Sequence, residues 1–180
     1  VSVIEDGDIK FAAHSERYSR VKNDSWLNDD IMKEAMSYGK PDSIAFYEIP
    51  KLKEERKFIT NESMASSFID RYINRWVDVS NIIYVGHHES HASAGYYTSP
   101  YDEACIVVID AIGEWDTATI WYANGNKLEK RWSQKYPKSL GLFYGAMTHR
   151  LGLKPNEDEY ILMGMAAWGD RDERIKNQIY

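Results

Sequence analysis

The chain has 180 residues and carries 22 Lys and Arg against 28 Asp and Glu, a formal net charge of -6. With 43% hydrophobic and 13% aromatic residues it has the material for an ordered core, which excludes a disordered chain, and 28% charged residues suit a water-facing surface. The acidic balance argues against a general nucleic-acid binder, because such modules present a basic face, while a nucleotide or modified base as a small acceptor stays open.

Val1 to Ala13 alternates apolar and polar residues around Glu5-Asp6-Gly7-Asp8. Asp-Gly between alternating runs predicts a hairpin. Asp29 to Tyr38 has helical spacing through Ile31, Ala35 and Tyr38, and Gly39-Lys40-Pro41 stops it before a strand over Ser43 to Ile49. Lys51 to Lys57 is a charge run, read as a solvated loop or helix face. Met64, Phe68, Tyr72 and Trp76 predict a further helix, and Ile82 to Val85 a short buried strand that leads into Gly86-His87-His88-Glu89-Ser90-His91. This β-α-β-α order predicts an α/β assembly.

Past Pro100 the pattern restarts. Ala104 to Asp110, Thr117 to Ala123 and Lys127 to Gln134 read as three consecutive strands, with Asn124-Gly125-Asn126 turning the second into the third. Ser139 then caps a helix through Leu140, Phe143, Met147 and Leu151, ended by Gly152. The halves are expected to divide near residue 100, with 1–100 the latter part of a first α/β half and 101–180 the beginning of a second. Cys105, the single cysteine, cannot form an internal disulfide and reads as a buried strand residue, so the expected compartment is reducing and cytoplasmic. No apolar run approaches the ~18–20 residues that span a bilayer.

Three of the five histidines fall within five residues. On a helix His87 and His91 stack on one face with Cβ atoms about 5–6 Å apart, able to grip one cation, while His88 is rotated away. Asp110 ends the following apolar strand, and two His with one Asp leave coordination positions open, the pattern of a catalytic rather than a structural metal. The competing reading is a surface helix start whose imidazoles cap backbone groups or face solvent. Glu114, at the exit of the same strand, reads either as a catalytic contact to acceptor or metal-bound water, or as a turn residue satisfying backbone donors. Glu89 reads as a capping or supporting residue.

The run Val85-Gly86-His87-His88-Glu89-Ser90-His91-Ala92 through Tyr96-Tyr97-Thr98-Ser99-Pro100-Tyr101, followed by Val108-Ile109-Asp110-Ala111-Ile112-Gly113-Glu114, resembles the O-carbamoyltransferases of the NodU/CmcH type. Glu16-Arg17-Tyr18-Ser19-Arg20-Val21-Lys22 and Glu159-Tyr160-Ile161-Leu162-Met163-Gly164-Met165-Ala166 match two further blocks of that family in the same order. The resemblance implies an actin/sugar-kinase-like (ribonuclease H-like) fold of duplicated halves, present here incompletely. It implies a transfer reaction from carbamoyl-adenylate, itself made from ATP and carbamoyl phosphate, to a small-molecule hydroxyl. His87, His91 and Asp110 match family ligands of a divalent metal, iron before zinc, and Gly113, Met163 and Gly164 match candidate parts of the nucleotide pocket. Ile161 and Ala111 depart from the family's Lys and Gly at those places. A further aspartate ligand and the carbamoyl-adenylate-forming domain are expected outside this chain, so the piece is expected to be inactive alone and to associate as a homodimer. A metal- or nucleotide-binding subunit of the same ancestry, or a relative of the tRNA threonylcarbamoyl transferases, remains the alternative.

Overall fold

The computed structural model describes residues 1–22, 24, 26–62, 69, 73–77, 81–170 and 172–174. Contacts divide the chain into two units, Val1–Phe46 with Ser66–Tyr84, and Tyr47–Ala65 with Val85–Tyr180.

The first unit opens with the expected hairpin, β1 (Ser2–Glu5) antiparallel to β2 (Asp8–Ala12). Asp6 and Gly7 both take positive φ, 52° and 87°, as the tight two-residue connection requires. α1 (Ser15–Ser19) follows, and α2 (Asp29–Met36) begins where the Asn28 side chain accepts the Ile31 N–H at 3.0 Å. β3 (Ile44–Phe46) and β4 (Ile82–Tyr84) pair in parallel, both shorter than the apolar runs containing them. Ile31, Met32 and Ala35 bring the apolar stripe of α2 into a core with Phe11, Ile69, Ile73 and Val77. Of the helix expected through Met64, Phe68, Tyr72 and Trp76, the first three positions lie outside the described residues.

In the second unit the Lys51–Lys57 charge run is part of a helix, α3 (Pro50–Ile59), with Pro50 in the first turn, where its missing N–H costs nothing. α4 (His87–Tyr97) packs on a three-stranded antiparallel meander of β5 (Glu103–Ile109), β6 (Asp116–Asn124) and β7 (Lys127–Lys135). Ala92 of α4 is fully buried against Val108 and Trp121, with Ile106 and Leu128 around them. Truncating Trp121 in this small core would cost about 3–5 kcal/mol. α5 (Leu140–Arg150), α6 (Glu159–Met165) and a single 3-10 turn (Ala166–Trp168) complete the elements.

Two expectations about burial need correction. Cys105 is exposed, not buried. β5 is the edge strand of the meander; its even-numbered residues 104, 106 and 108 turn toward α4, while Val107 and Ile109 on the other face are 59% and 57% exposed. An unbroken apolar run hides this two-sidedness, because a strand covered on one face can read like one covered on both. Met32 of α2 and Trp121 of β6 are core, whereas Met163 and Trp168 are 66% and 93% exposed.

Candidate metal centre

α4 starts immediately after Gly86, and the helical rise places His87 and His91 one turn apart on the same face. β5 delivers Asp110 to the same place. The Asp110 N–H continues the ladder by donating to the Thr117 carbonyl at 3.0 Å, so the aspartate is held at the strand's last ladder position. Its Oδ2 lies 2.7 Å from His87 Nε2 and 3.7 Å from His91 Nε2, and the two imidazole nitrogens are 3.1 Å apart. The three donor atoms lie within 4.8 Å of one another.

Asp110 Oδ2 and His91 Nε2 both face His87 Nε2, at 2.7 and 3.1 Å, so the same ring nitrogen is shared between two partners. A single cation at the centre of these three atoms would satisfy all three donors at once. With bonds of about 2.0–2.2 Å it holds its ligand atoms roughly 3–3.6 Å apart, a few tenths of an ångström from the spacing found here. The donor set of two imidazoles and one carboxylate therefore fits a divalent iron or zinc ion.

The electrostatics follow the same contacts. The hydrogen bond to His87 holds the Asp110 carboxyl down at about 2, aided by the Ala111 N–H, which donates to Oδ1 at 2.7 Å. The reciprocal bond to Asp110 raises His87 above its ordinary value against the opposing effect of burial.

His88 faces the opposite way, as the helical spacing requires. It is 2% exposed, its Nδ1 is 3.0 Å from Thr119 Oγ1, and Thr119 Oγ1 also accepts the Trp121 Nε1 hydrogen at 2.7 Å. Burial lowers its pKa, so His88 is a neutral packing residue between α4 and β6. Glu89 turns back over Gly86, its carboxylate 3.8 Å from where a Cβ on Gly86 would stand.

Glu114 is 8% exposed and accepts main-chain N–H groups, from Ile49 at 2.7 Å and from His87 at 3.0 and 3.2 Å. Gly113 lies against the imidazoles: an added Cβ would stand 3.0 Å from His88 Cδ2 and 3.1 Å from His87 Cβ. Met163 is exposed on α6, and a Cβ on Gly164 would meet nothing within 4 Å. Among the described residues, no hydrogen bond joins Met163 or Gly164 to the histidine-aspartate cluster.

Two contacts that set the Asp110 loop were not read from the sequence: the reach of Ser139, expected only as a helix cap, and the close approach of Gly141. Ser139 caps α5 by accepting the Leu142 N–H, and its hydroxyl reaches the Ala111 carbonyl at 2.6 Å. Gly141 sits so close to this loop that a Cβ would stand 2.5 Å from Ala111 N and 2.7 Å from the Asp110 carbonyl carbon. A glycine inside an otherwise apolar helical pattern, where it costs helix stability, is the signal that could have found it.

A shallow groove of about 310 Å³ opens beside the cluster, lined by His91 and Gly95 of α4 and by Ile106 to Asp110. An antiparallel meander under one helix, with a His-His-Asp cluster where helix and edge strand meet, defines a mixed α/β protein with three possible metal donors gathered at a strand end.

Comparison with known proteins gives that class a family. The family model of the carbamoyltransferase N-terminus matches residues 54–180, well over half of the chain, and the chain belongs to this family. An uncharacterized protein of Synechocystis, sll1178, is 31% identical over 200 residues, covering 94% of this chain and 32% of the relative. The nodulation protein NolNO of Sinorhizobium fredii is 26% identical over 185 residues, 93% of this chain and 27% of that protein. An uncharacterized protein of Methanocaldococcus jannaschii, MJ1051, is 28% identical over 172 residues, 96% of this chain and 32% of its own length. The chain thus spans about a third of the length of these relatives. No helix among the described residues is long and apolar enough to cross a membrane.

Proposed function

We propose that this chain is the metal-bearing part of an O-carbamoyltransferase, which moves a carbamoyl group from carbamoyl-adenylate to the hydroxyl of a small-molecule acceptor. The observation that carries this reading is the convergence of His87 Nε2, His91 Nε2 and Asp110 Oδ2 within 4.8 Å, in a chain of the carbamoyltransferase N-terminus family. Iron or zinc would be held by these three side chains, and when bound it supplies Lewis acidity toward a carbonyl oxygen.

In the transfer, the acceptor oxygen forms a bond to the carbamoyl carbon, the bond from that carbon to the adenylate phosphate oxygen breaks, AMP departs with that bond's electron pair, and the hydroxyl proton passes to the departing phosphate or to solvent. The work of this chain is placement. α4 and β5 fix the donor atoms, Gly113 packs behind the imidazoles, and the groove along Ile106 to Asp110 offers the acceptor an approach. In this reading a separate domain supplies the adenylate, and the chain spans about a third of the length of its relatives. Gly113, Met163 and Gly164 belong to the nucleotide pocket in this reading, Glu114 stands close to the reacting groups, and the architecture is the actin/sugar-kinase-like one. A two-fold homodimer is also proposed, supported by the exposed apolar side chains Leu140 and Phe143 of α5 and Leu151 at its C-terminal cap.

The test is transfer of label from carbamoyl phosphate, with ATP, to a panel of hydroxyl acceptors by the full-length protein. Wild type is expected to yield a labelled carbamoyl ester with at least one acceptor, and Asp110→Asn to lose transfer while still consuming ATP and carbamoyl phosphate. Transfer by Asp110→Asn at the wild-type rate would overturn the proposal.

A further inference from the structure

Asp110 and Glu114 leave the same turn four residues apart, and their carboxylates end on different parts of one residue, His87. Asp110 meets the imidazole at 2.7 Å; Glu114 meets the main-chain N–H at 3.0 and 3.2 Å. α4 needs this second contact. Its N-cap is Gly86, which has no side chain, and the first N–H groups of a helix have no partner within it. α3 starts with the same deficit: Ile49 makes no side-chain cap, and the Glu114 carboxylate accepts the Ile49 N–H at 2.7 Å. A carboxylate that is 8% exposed is costly to bury unless hydrogen bonds and a helix N-terminus compensate its charge, and here both do.

We propose that Glu114 is a positioning residue for the cation site. By tying the start of α4 to residue 49, it fixes where the His87 ring stands relative to Asp110. The inference rests on the metal reading of His87, His91 and Asp110. The loop meets His87 at three places, at the ring nitrogen through Asp110, beside Cβ and Cδ2 through Gly113 and at the main chain through Glu114. Removal of the third contact frees the helix start to shift, and a ring nitrogen at the end of the side chain shifts with it.

The experiment titrates the full-length protein with Co²⁺ alone, following its visible absorption, in wild type, Glu114→Gln, Glu114→Ala and His87→Ala. Glu114→Gln keeps the shape and one acceptor but sets an amide NH₂ against a main-chain N–H. It is expected to weaken Co²⁺ binding about 10-fold and shift the absorption bands, with Glu114→Ala toward 100-fold, the range for residues that orient metal ligands. His87→Ala is expected to lose the ion. If Glu114→Ala does not fold, Glu114→Gln decides. Wild-type affinity and spectrum in Glu114→Gln, with or without a lower melting temperature, while His87→Ala loses Co²⁺, would overturn the positioning role and leave the metal reading standing. Wild-type binding by His87→Ala would overturn both.

Discussion

His87 Nε2 and Asp110 Oδ2 stand 2.7 Å apart although 23 residues separate them, one at the start of a helix and the other at the end of an edge strand. Each holds the other in its charged form, so the pair's contribution depends on pH from both sides. His87 is raised above 6.5, so its contribution is complete below that value and fades as pH climbs through the native pKa. Asp110 is lowered from 3.8 to about 2, so its contribution is complete above 3.8 and fades as pH falls toward 2.

The metal-free protein is therefore expected to gain most from the pair between pH 3.8 and 6.5. Thermal melts of wild type and Asp110→Asn from pH 2 to 9 check this. The gap in melting temperature should be widest in that window and shrink on both sides. Metal binding runs the other way at His87, since the ion must displace its proton, and affinity for Zn²⁺ should rise with pH until His87 is neutral.

Gly141→Ala is expected to destabilise the protein by about 1–3 kcal/mol, because the new Cβ would meet backbone atoms that cannot swing away. The first turn of α5 must lift from the Asp110 loop, so cation affinity should fall as well. Gly164→Ala is the control: nothing lies within 4 Å of its Cβ, and a helical glycine replaced by alanine should leave stability unchanged or raise it by up to about 1 kcal/mol. Denaturant melts of the two variants compare them, and equal losses would contradict the close approach at Gly141.

His88→Asn is expected to cost about 1–3 kcal/mol at neutral pH, because the Thr119 hydroxyl loses the imidazole it meets at 3.0 Å in a buried place, while Co²⁺ affinity stays near wild type. Burial lowers the pKa of His88, so below 6.5 the unfolded chain binds a proton that the native residue refuses, and wild type loses stability there. The gap between wild type and His88→Asn should then narrow from pH 7 to pH 5. A variant that keeps its stability but loses Co²⁺ would make His88 a ligand instead.

How much of this was legible in the chain depends on the range of the interaction. Asp6-Gly7 announces its hairpin, and the spacing of His87 and His91 puts both on one helix face, because both are local rules of backbone geometry. Cys105 was misread because whether one face of β5 or both are covered is set by what packs on the sheet, and the unbroken apolar run of β5 does not carry it. The Lys51–Lys57 run left helix and loop open, and α3 resolves it. Glu114 was legible as a carboxylate near the site; that it reaches residue 49, 65 positions away, was not. Ser139 and Gly141 act on Asp110 and Ala111 across nearly 30 residues, and nothing near them in sequence names their target.

His87, His91 and Asp110 are expected to hold one metal ion together. Calorimetric titration of the full-length protein with Fe²⁺ and Zn²⁺, in wild type and in His87→Ala, His91→Ala and Asp110→Asn, measures this directly. One ion per chain is expected in wild type, with each substitution lowering affinity by at least about 10-fold, since every one of them removes a direct donor. Undiminished one-to-one binding in all three variants would contradict it.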